Sequence, residues 1–234
     1  MVNSMTQLSD PASPQQSAQT PIVMSYLTQR LLIGVLAVLL PVIVVVVNWL
    51  MGYGVQPSVS GYYYTPMRNI FVGTLCAIGV FLISYDGYDL PDRLITDLAG
   101  LCSICISFFP TVPGSAPTAH QVLIGDIHLG FAGGAFVALA VMSFRFAKRE
   151  PTPAGLPLWE RFKYAFGFTG SGLSATPAWE LVTYRSAGTV ILISIVLASL
   201  LSSITYSLLV IEWVMLSAFG TAWFVKGRKI LSGG

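Results

Sequence analysis

The amino-acid sequence predicts an all-α membrane protein: a polytopic bundle of six transmembrane helices with both termini in the cytoplasm. Of the 234 residues, 54% are hydrophobic and only 9% are charged, whereas about a quarter of the residues are charged in an ordinary soluble domain. Six segments are apolar over lengths close to the roughly 20 residues that a helix needs to cross a bilayer. This composition excludes a water-soluble globular protein.

A disordered cytoplasmic tail is predicted for residues 1–28. These residues are polar and rich in Ser, Pro and Gln, and a segment of that composition has too little apolar surface to bury for it to fold. They lack the basic start and the small-residue cleavage site of a signal peptide. The six-helix membrane domain is expected over residues 29–229, and its first span, at about residues 31–50, contains no charge and carries Pro41 as a predicted kink.

The second and third spans are predicted at about residues 69–85 and 94–109. The third is the weaker, because Asp97 lies near its start and serines dilute it, so we expect neighbouring helices to enclose it. The turn between them is acidic around Gly87 and Pro91. We interpret it as structural, with carboxylates near a helix amino terminus, and keep cation attraction or a proton relay as the alternative; its members are Asp86, Asp89, Asp92 and Asp97.

The fourth span is predicted at about residues 127–146. Gly130, Gly134 and Ala138 share one face of it, a spacing of small residues that favours close packing of a second helix. Residues 147–185 form the predicted cytoplasmic loop. In the segment WERFKYAFGF, aromatic residues alternate with Glu160, Arg161 and Lys163, which predicts a short helix on the membrane surface.

The fifth and sixth spans are predicted at about residues 186–201 and 208–225, followed by a short tail at residues 230–234. With the amino terminus inside, eleven of the twelve lysines and arginines fall on the cytoplasmic side and only Arg68 falls outside. Such an asymmetry is the expectation of the positive-inside rule. It supports the count of six independently of hydropathy.

The external side gathers the residues that we consider a candidate ligand-binding site. Pairing with an opposite charge lowers the free-energy cost of holding a charge near lipid, so Arg68 is expected to pair with a carboxylate such as Asp126 or Glu212. The site would bind a lipid or small solute, or pass it through the bundle; the structural alternative is an ion pair that caps the bundle. The predicted ligand-binding residues are Arg68, Tyr62, Tyr63, Tyr64, His128 and Glu212.

A second hypothesis is a membrane-embedded, metal-dependent hydrolase of lipid-linked substrates. His120, Asp126 and His128 have side chains that could bind zinc with an open position for water. Their spacing matches no metal motif, and the Cys102 and Cys105 pair lies inside a span, where thiols are inert packing residues.

The chain lacks the usual motifs of soluble enzymes: a phosphate-binding loop, a nucleophile elbow and paired catalytic carboxylates. We therefore predict no catalytic residue and no cofactor, and a structural or assembly role is a third hypothesis. The net charge of +2 does not predict nucleic-acid binding. The expected partners are membrane lipids, with a second copy or another membrane protein as alternatives.

Two stretches of sequence carry a resemblance to known proteins. The first is Ser60-x-Tyr62-Tyr63-Tyr64-Thr65-Pro66-Met67-Arg68, continued by Phe71-Val72-Gly73; the second includes Glu212-Trp213, Ala218-Phe219-Gly220 and Trp223-x-x-Lys226-Gly227. Together they resemble a group of uncharacterised bacterial six-span membrane proteins. The resemblance implies a six-span bundle in a bacterial cytoplasmic membrane and no known activity. The insertion at about residues 151–178 departs from that group.

Overall fold

The chain is helical throughout the parts that the structure describes. The computed structural model describes residues 15–151, 155–166 and 179–231, and no strand occurs in these ranges. The all-α prediction is therefore confirmed. The helices are α1 (Gln15–Leu50), α2 (Arg68–Ile83), α3 (Leu90–Phe108), α4 (Ala119–Lys148), α5 (Leu158–Ala165), α6 (Trp179–Leu201) and α7 (Ser207–Leu231), with a 3₁₀ helix at Ser60–Tyr64.

Within the described residues, four helices are long and apolar enough to cross a membrane, which makes the chain a multi-pass membrane protein. They contain the segments Thr28–Leu50, Ala119–Lys148, Trp179–Leu201 and Ser207–Arg228. Helix α2 is apolar but shorter, and α3 carries Asp92, Arg93 and Asp97. The count of six spans therefore stays a prediction.

Several helices extend beyond their predicted bounds. α1 begins at Gln15, within the segment predicted as a disordered tail; elongating an existing helix is far easier than nucleating one. α4 begins at Ala119, inside the predicted external loop, because Thr118 and Gln121 form a capping box. α6 and α7 likewise extend into the predicted loop and tail. Residues 1–14, 152–154, 167–178 and 232–234 lie outside the described residues.

The six long helices form a closed ring in chain order. α1 contacts α2, α2 contacts α3, α3 contacts α4, α4 contacts α6, α6 contacts α7, and α7 returns to α1. Consecutive helices of the ring run antiparallel, as their contacts show: Gly34 of α1 lies by Gly220 and Leu31 by Gly227 of α7, and Phe146 of α4 lies by Tyr184 and Phe144 by Gly188 of α6. α4 also contacts α7 across the ring. We call the two ends of the bundle the Tyr62 end and the Tyr85 end after a buried tyrosine at each.

Paired glycines set the closest helix approaches. A Cβ atom at Gly79 would lie 2.8 Å from the carbonyl oxygen of Gly100, so α2 and α3 touch backbone to backbone. A Cβ atom at Gly220 would lie 2.7 Å from the carbonyl oxygen of Gly34, which places α7 equally close to α1. Such pairs let helices pack tightly without a hydrophobic driving force.

The predicted small-residue face of α4 is confirmed only in part. Ala138 is buried, and a Cβ atom at Gly134 would lie 3.3 Å from the sulfur of Cys102 on α3. A Cβ atom at Gly130, in contrast, would meet nothing within 4 Å. The predicted packing face of α4 is therefore present at Gly134 and Ala138, but it does not include Gly130, one turn nearer to the Tyr62 end.

Candidate functional site

At the Tyr62 end, Glu212 binds the 3₁₀ helix instead of Arg68. The backbone N–H of Ser60 donates to Glu212 Oε2 at 3.1 Å, and the Ser60 hydroxyl donates to Oε1 at 3.4 Å. A carboxylate at the start of a helix satisfies N–H groups that the helix itself leaves unpaired. The structure therefore gives Glu212 a capping role that ties α7 to the Ser60–Tyr64 helix.

Arg68 is exposed and contacts a tyrosine. Its guanidinium donates to the Tyr63 hydroxyl and lies 4.1 Å from the centre of the Tyr63 ring. The Tyr64 hydroxyl donates to the carbonyl of Thr111 at 2.6 Å, and the buried Tyr62 hydroxyl accepts from the backbone N–H of Gln56 at 3.4 Å. The predicted residues share one end of the bundle, and Tyr63 contacts both Arg68 and Tyr64, whereas Glu212 is bound to Ser60 and does not join them.

The three residues of the metal hypothesis lie apart. His128 is buried, with Nδ1 2.6 Å from the carbonyl oxygen of Phe109, whereas His120 and Asp126 are exposed on α4. Residues two apart on a helix do not face each other, which separates Asp126 from His128. Among the described residues, no group of three or more His, Cys, Asp or Glu side chains could hold a metal ion.

The Tyr85 end contains a dense set of charges that begins at the α3 amino terminus. Asp89 caps α3 by accepting from the backbone N–H of Asp92 at 2.9 Å. Asp92, in the first turn, is fully buried and accepts from the Tyr88 backbone N–H at 3.2 Å. These contacts agree with the structural interpretation of the acidic turn.

Two arginines of α4 clamp both carboxylates. Arg145 donates to Asp89 at 2.6 Å and also bonds Asp92; Arg149 donates to Asp89 at 2.9 Å and to Asp92 at 2.7 Å. The backbone N–H of Asp92, followed by these arginines, lowers the pKa of the Asp89 carboxyl below its ordinary value. We call these four side chains the Asp92 network; it joins α3 to α4.

Beside this network, a lysine is enclosed by aromatic rings in the bundle interior. The Lys226 ammonium of α7 lies 5.3 Å from the ring centres of Tyr88 and Phe146 and 5.4 Å from that of Tyr184. It pairs with Glu150 at 3.6 Å, and the two side chains are only 6% and 2% exposed. Rings stabilise a desolvated cation through their negative faces.

The same interior holds a second cation, Arg30 of α1. Its guanidinium donates to the Tyr85 hydroxyl at 3.0 Å and lies over the rings of Tyr85 and Tyr88. The Tyr85 ring packs edge-on against Trp223, which also contacts Phe146. We call the whole group the Lys226 cluster: Arg30, Tyr85, Tyr88, Phe146, Glu150, Tyr184, Trp223 and Lys226.

Three donor groups of this cluster are buried without a partner. Within the described part of the chain, Arg30 Nε, the Tyr184 hydroxyl and Trp223 Nε1 have no hydrogen bond, and no carboxylate is among the described contacts of Arg30. Buried polar groups nearly always have a partner, because desolvating an unpaired one is costly. The cluster therefore has the donors and the charge to receive an anion.

Tyr88 covers the cluster at the bundle end. Gly87 before it has a φ of +68°, and a Cβ atom there would lie 3.2 Å from the Arg93 backbone nitrogen; only glycine adopts such a turn freely. The Tyr88 ring is about half exposed and lies near three cations, Arg30, Arg149 and Lys226. It stands between the cluster and the outside of the bundle.

Sequence reasoning missed the Lys226 cluster because it used Arg30 only as a marker of orientation, and Lys226 only as such a marker and as part of the resemblance. One signal was present: Trp223 and Lys226, three residues apart, share a face of α7, and a cation near an aromatic inside an apolar segment indicates function. Comparisons with protein-family models, with characterised proteins and with solved structures find no match for the chain. The resemblance to bacterial six-span proteins stays a prediction.

Proposed function

We propose that all six long helices span a bacterial cytoplasmic membrane and that the Tyr85 end faces the cytoplasm. The antiparallel ring supports this, since α2 and α3 complete the ring between α1 and α4. Charge supports it as well, because Arg68 alone among the described basic side chains lies at the Tyr62 end. The positive-inside rule then places the Tyr85 end in the cytoplasm.

Cysteine labelling tests this topology. In a variant with Cys76, Cys102 and Cys105 replaced by alanine, Ser115→Cys is expected to react with a membrane-impermeant maleimide on intact cells. The matched control, Leu90→Cys, is exposed at the Tyr85 end and should react only after permeabilisation. The reverse pattern would overturn the orientation, and reaction of both on intact cells would overturn the span count.

We further propose that the protein binds an oxyanion, such as a phosphate or carboxylate group, in the Lys226 cluster. One observation carries this: Arg30, only 6% exposed, has a free Nε and no carboxylate among its described contacts. An uncompensated cation in a bundle interior is expensive unless something supplies the opposite charge. An anion seated beside it would supply that charge.

The described ion pairs point the same way. Arg145 and Arg149 pair with Asp89 and Asp92, and Lys226 pairs with Glu150, whereas Arg30 has no carboxylate among its described contacts. Arginine presents several N–H groups in a planar fork that suits phosphate or carboxylate. The Tyr184 hydroxyl and Trp223 Nε1 would donate further hydrogen bonds to the same anion. The ligand is thus the lipid or small solute of the general hypothesis, bound at the end opposite to Arg68.

Thermal unfolding with added anion tests the proposal. Purified protein in detergent is titrated with inorganic phosphate and, separately, with phosphatidylglycerol. A ligand at 100 times its Kd stabilises a protein by about 2.7 kcal/mol, which is a readily measured rise in Tm. A response to phosphate indicates a free anion, and a response to the lipid alone indicates a headgroup.

Tyr184→Phe is the critical variant because it removes only the unpartnered hydroxyl. Without ligand it should be at least as stable as the wild type, since a buried unsatisfied group is lost, while the stabilisation by the anion should shrink. Arg30→Gln should abolish that stabilisation. Arg93→Gln, an exposed arginine at the same end, is the control and should respond like the wild type. No response of the wild type, or a full response of Arg30→Gln, would refute the site.

A further inference from the structure

Helix α5 presents an apolar face that no other described part of the chain covers. Leu158, Trp159 and Phe162 are 85%, 63% and 50% exposed. They fall within one third of the helix circumference, as positions one and four apart do. The Trp159 and Phe162 rings stack with centres 5.6 Å apart, and Phe162 also contacts Phe166. Together these side chains form one continuous aromatic surface.

The position of Tyr164 shows which way the aromatic surface of α5 faces. Tyr164 of α5 is 4% exposed and belongs to the same buried core as Tyr85, Tyr184 and Trp223. At 100° per residue, Tyr164 lies almost opposite to Phe162 on α5. Because Tyr164 is inserted into the bundle at the Tyr85 end, the aromatic surface faces away from the bundle, toward the surroundings of the protein.

The charges around this surface are predominantly basic. Lys163 pairs with Glu160 at 2.7 Å and lies 5.6 Å from the Trp159 ring. Arg161 is exposed and has no ion pair among the described side chains. Arg185 of the adjacent α6 is near enough to interact electrostatically with Arg161. Aromatic rings bordered by cations match the headgroup region of an anionic leaflet.

We propose that α5 docks on the membrane leaflet at the Tyr85 end, with Leu158, Trp159 and Phe162 below the headgroups and Arg161 against anionic lipid phosphates. The occupant is the lipid surface, because the face lies at the end of a membrane bundle and is bordered by unpaired positive charge. The inference depends on the membrane-spanning bundle and is independent of the anion site in the Lys226 cluster.

Spin-label accessibility in nanodiscs tests the docking on the full chain. In the variant without native cysteines, a label is placed at Phe162→Cys or, as the control, at Arg93→Cys, an exposed position at the same end that lies outside α5. Nanodiscs are made of phosphatidylcholine alone or mixed with phosphatidylglycerol. The label at position 162 should collide mainly with oxygen, which concentrates in lipid, and the label at position 93 mainly with a water-soluble nickel chelate.

Phosphatidylglycerol should raise the oxygen-to-nickel ratio at position 162, and Arg161→Glu in the labelled 162 variant should cancel that rise. Equal nickel access at positions 93 and 162 would overturn the proposal. Shielding of position 162 from both reagents, with spin–spin broadening, would also overturn it by showing that a second copy covers the face. An unchanged ratio on adding phosphatidylglycerol would refute the contribution of lipid charge.

Discussion

Replacing Asp92 with alanine should destabilise the protein by about 1–3 kcal/mol, the cost of leaving buried hydrogen-bond donors without their acceptor. Asp92 is fully buried and receives Arg145, Arg149 and the backbone N–H of Tyr88. Its loss leaves two arginines with Asp89 alone and opens the contact between α3 and α4. The measurement is chemical unfolding in detergent, followed by circular dichroism.

Asp97→Ala is the matched control on the same helix. Asp97 is partly exposed, and its oxygen lies 4.0 Å from Arg93 Nε, a pair of the kind that contributes about 0–1 kcal/mol. The difference between the two variants isolates the effect of burial. Equal destabilisation of both would mean that the Asp92 network does not support the bundle as described.

Replacing Gly220 with alanine should destabilise the protein by about 1–3 kcal/mol, the usual cost of overpacking a tight core. The new Cβ would lie 2.7 Å from the Gly34 carbonyl oxygen and 3.1 Å from the Val38 backbone nitrogen. Backbone atoms cannot yield as a flexible side chain can, so α7 must move away from α1. Thermal unfolding in detergent measures the loss.

Gly130→Ala serves as the control for that variant, because it makes the same change in a helix where the Cβ meets nothing within 4 Å. Alanine is the better helix former by about 1 kcal/mol, so this variant should be neutral or slightly stabilised. If Gly220→Ala were as stable as Gly130→Ala, the close contact of α1 with α7 would be refuted.

The sequence was sufficient for the helices because each one depends on local patterns of hydrophobicity. It also indicated that Asp92 lies near the amino terminus of α3, since Pro91 and the preceding turn residues mark that start. The sequence alone could not predict which side chains pair with Asp92. Arg145 and Arg149 reach Asp92 only because α3 and α4 are adjacent in the ring, and such adjacency is a property of the tertiary fold.

The predicted pairing of Arg68 with Glu212 illustrates the same limit. Both lie at the Tyr62 end, as expected, yet Ser60 competes for the carboxylate and Tyr63 competes for the guanidinium. Those partners belong to the 3₁₀ helix Ser60–Tyr64. Its position next to α7 cannot be predicted from the periodicity of the sequence. The Lys226 cluster was missed for the corresponding reason, since its members come from different helices that only the closed ring assembles.

The closure of the ring has a consequence for biosynthesis. A ribosome makes α1 well before α7, yet the Gly34 surface of α1 packs against Gly220 and Phe224 of α7. Throughout translation that surface must therefore face lipid or a helper protein. In a chain truncated before α7, the Gly34 surface of α1 would stay uncovered. Quality-control proteases that recognise unpaired membrane helices could then bind that surface.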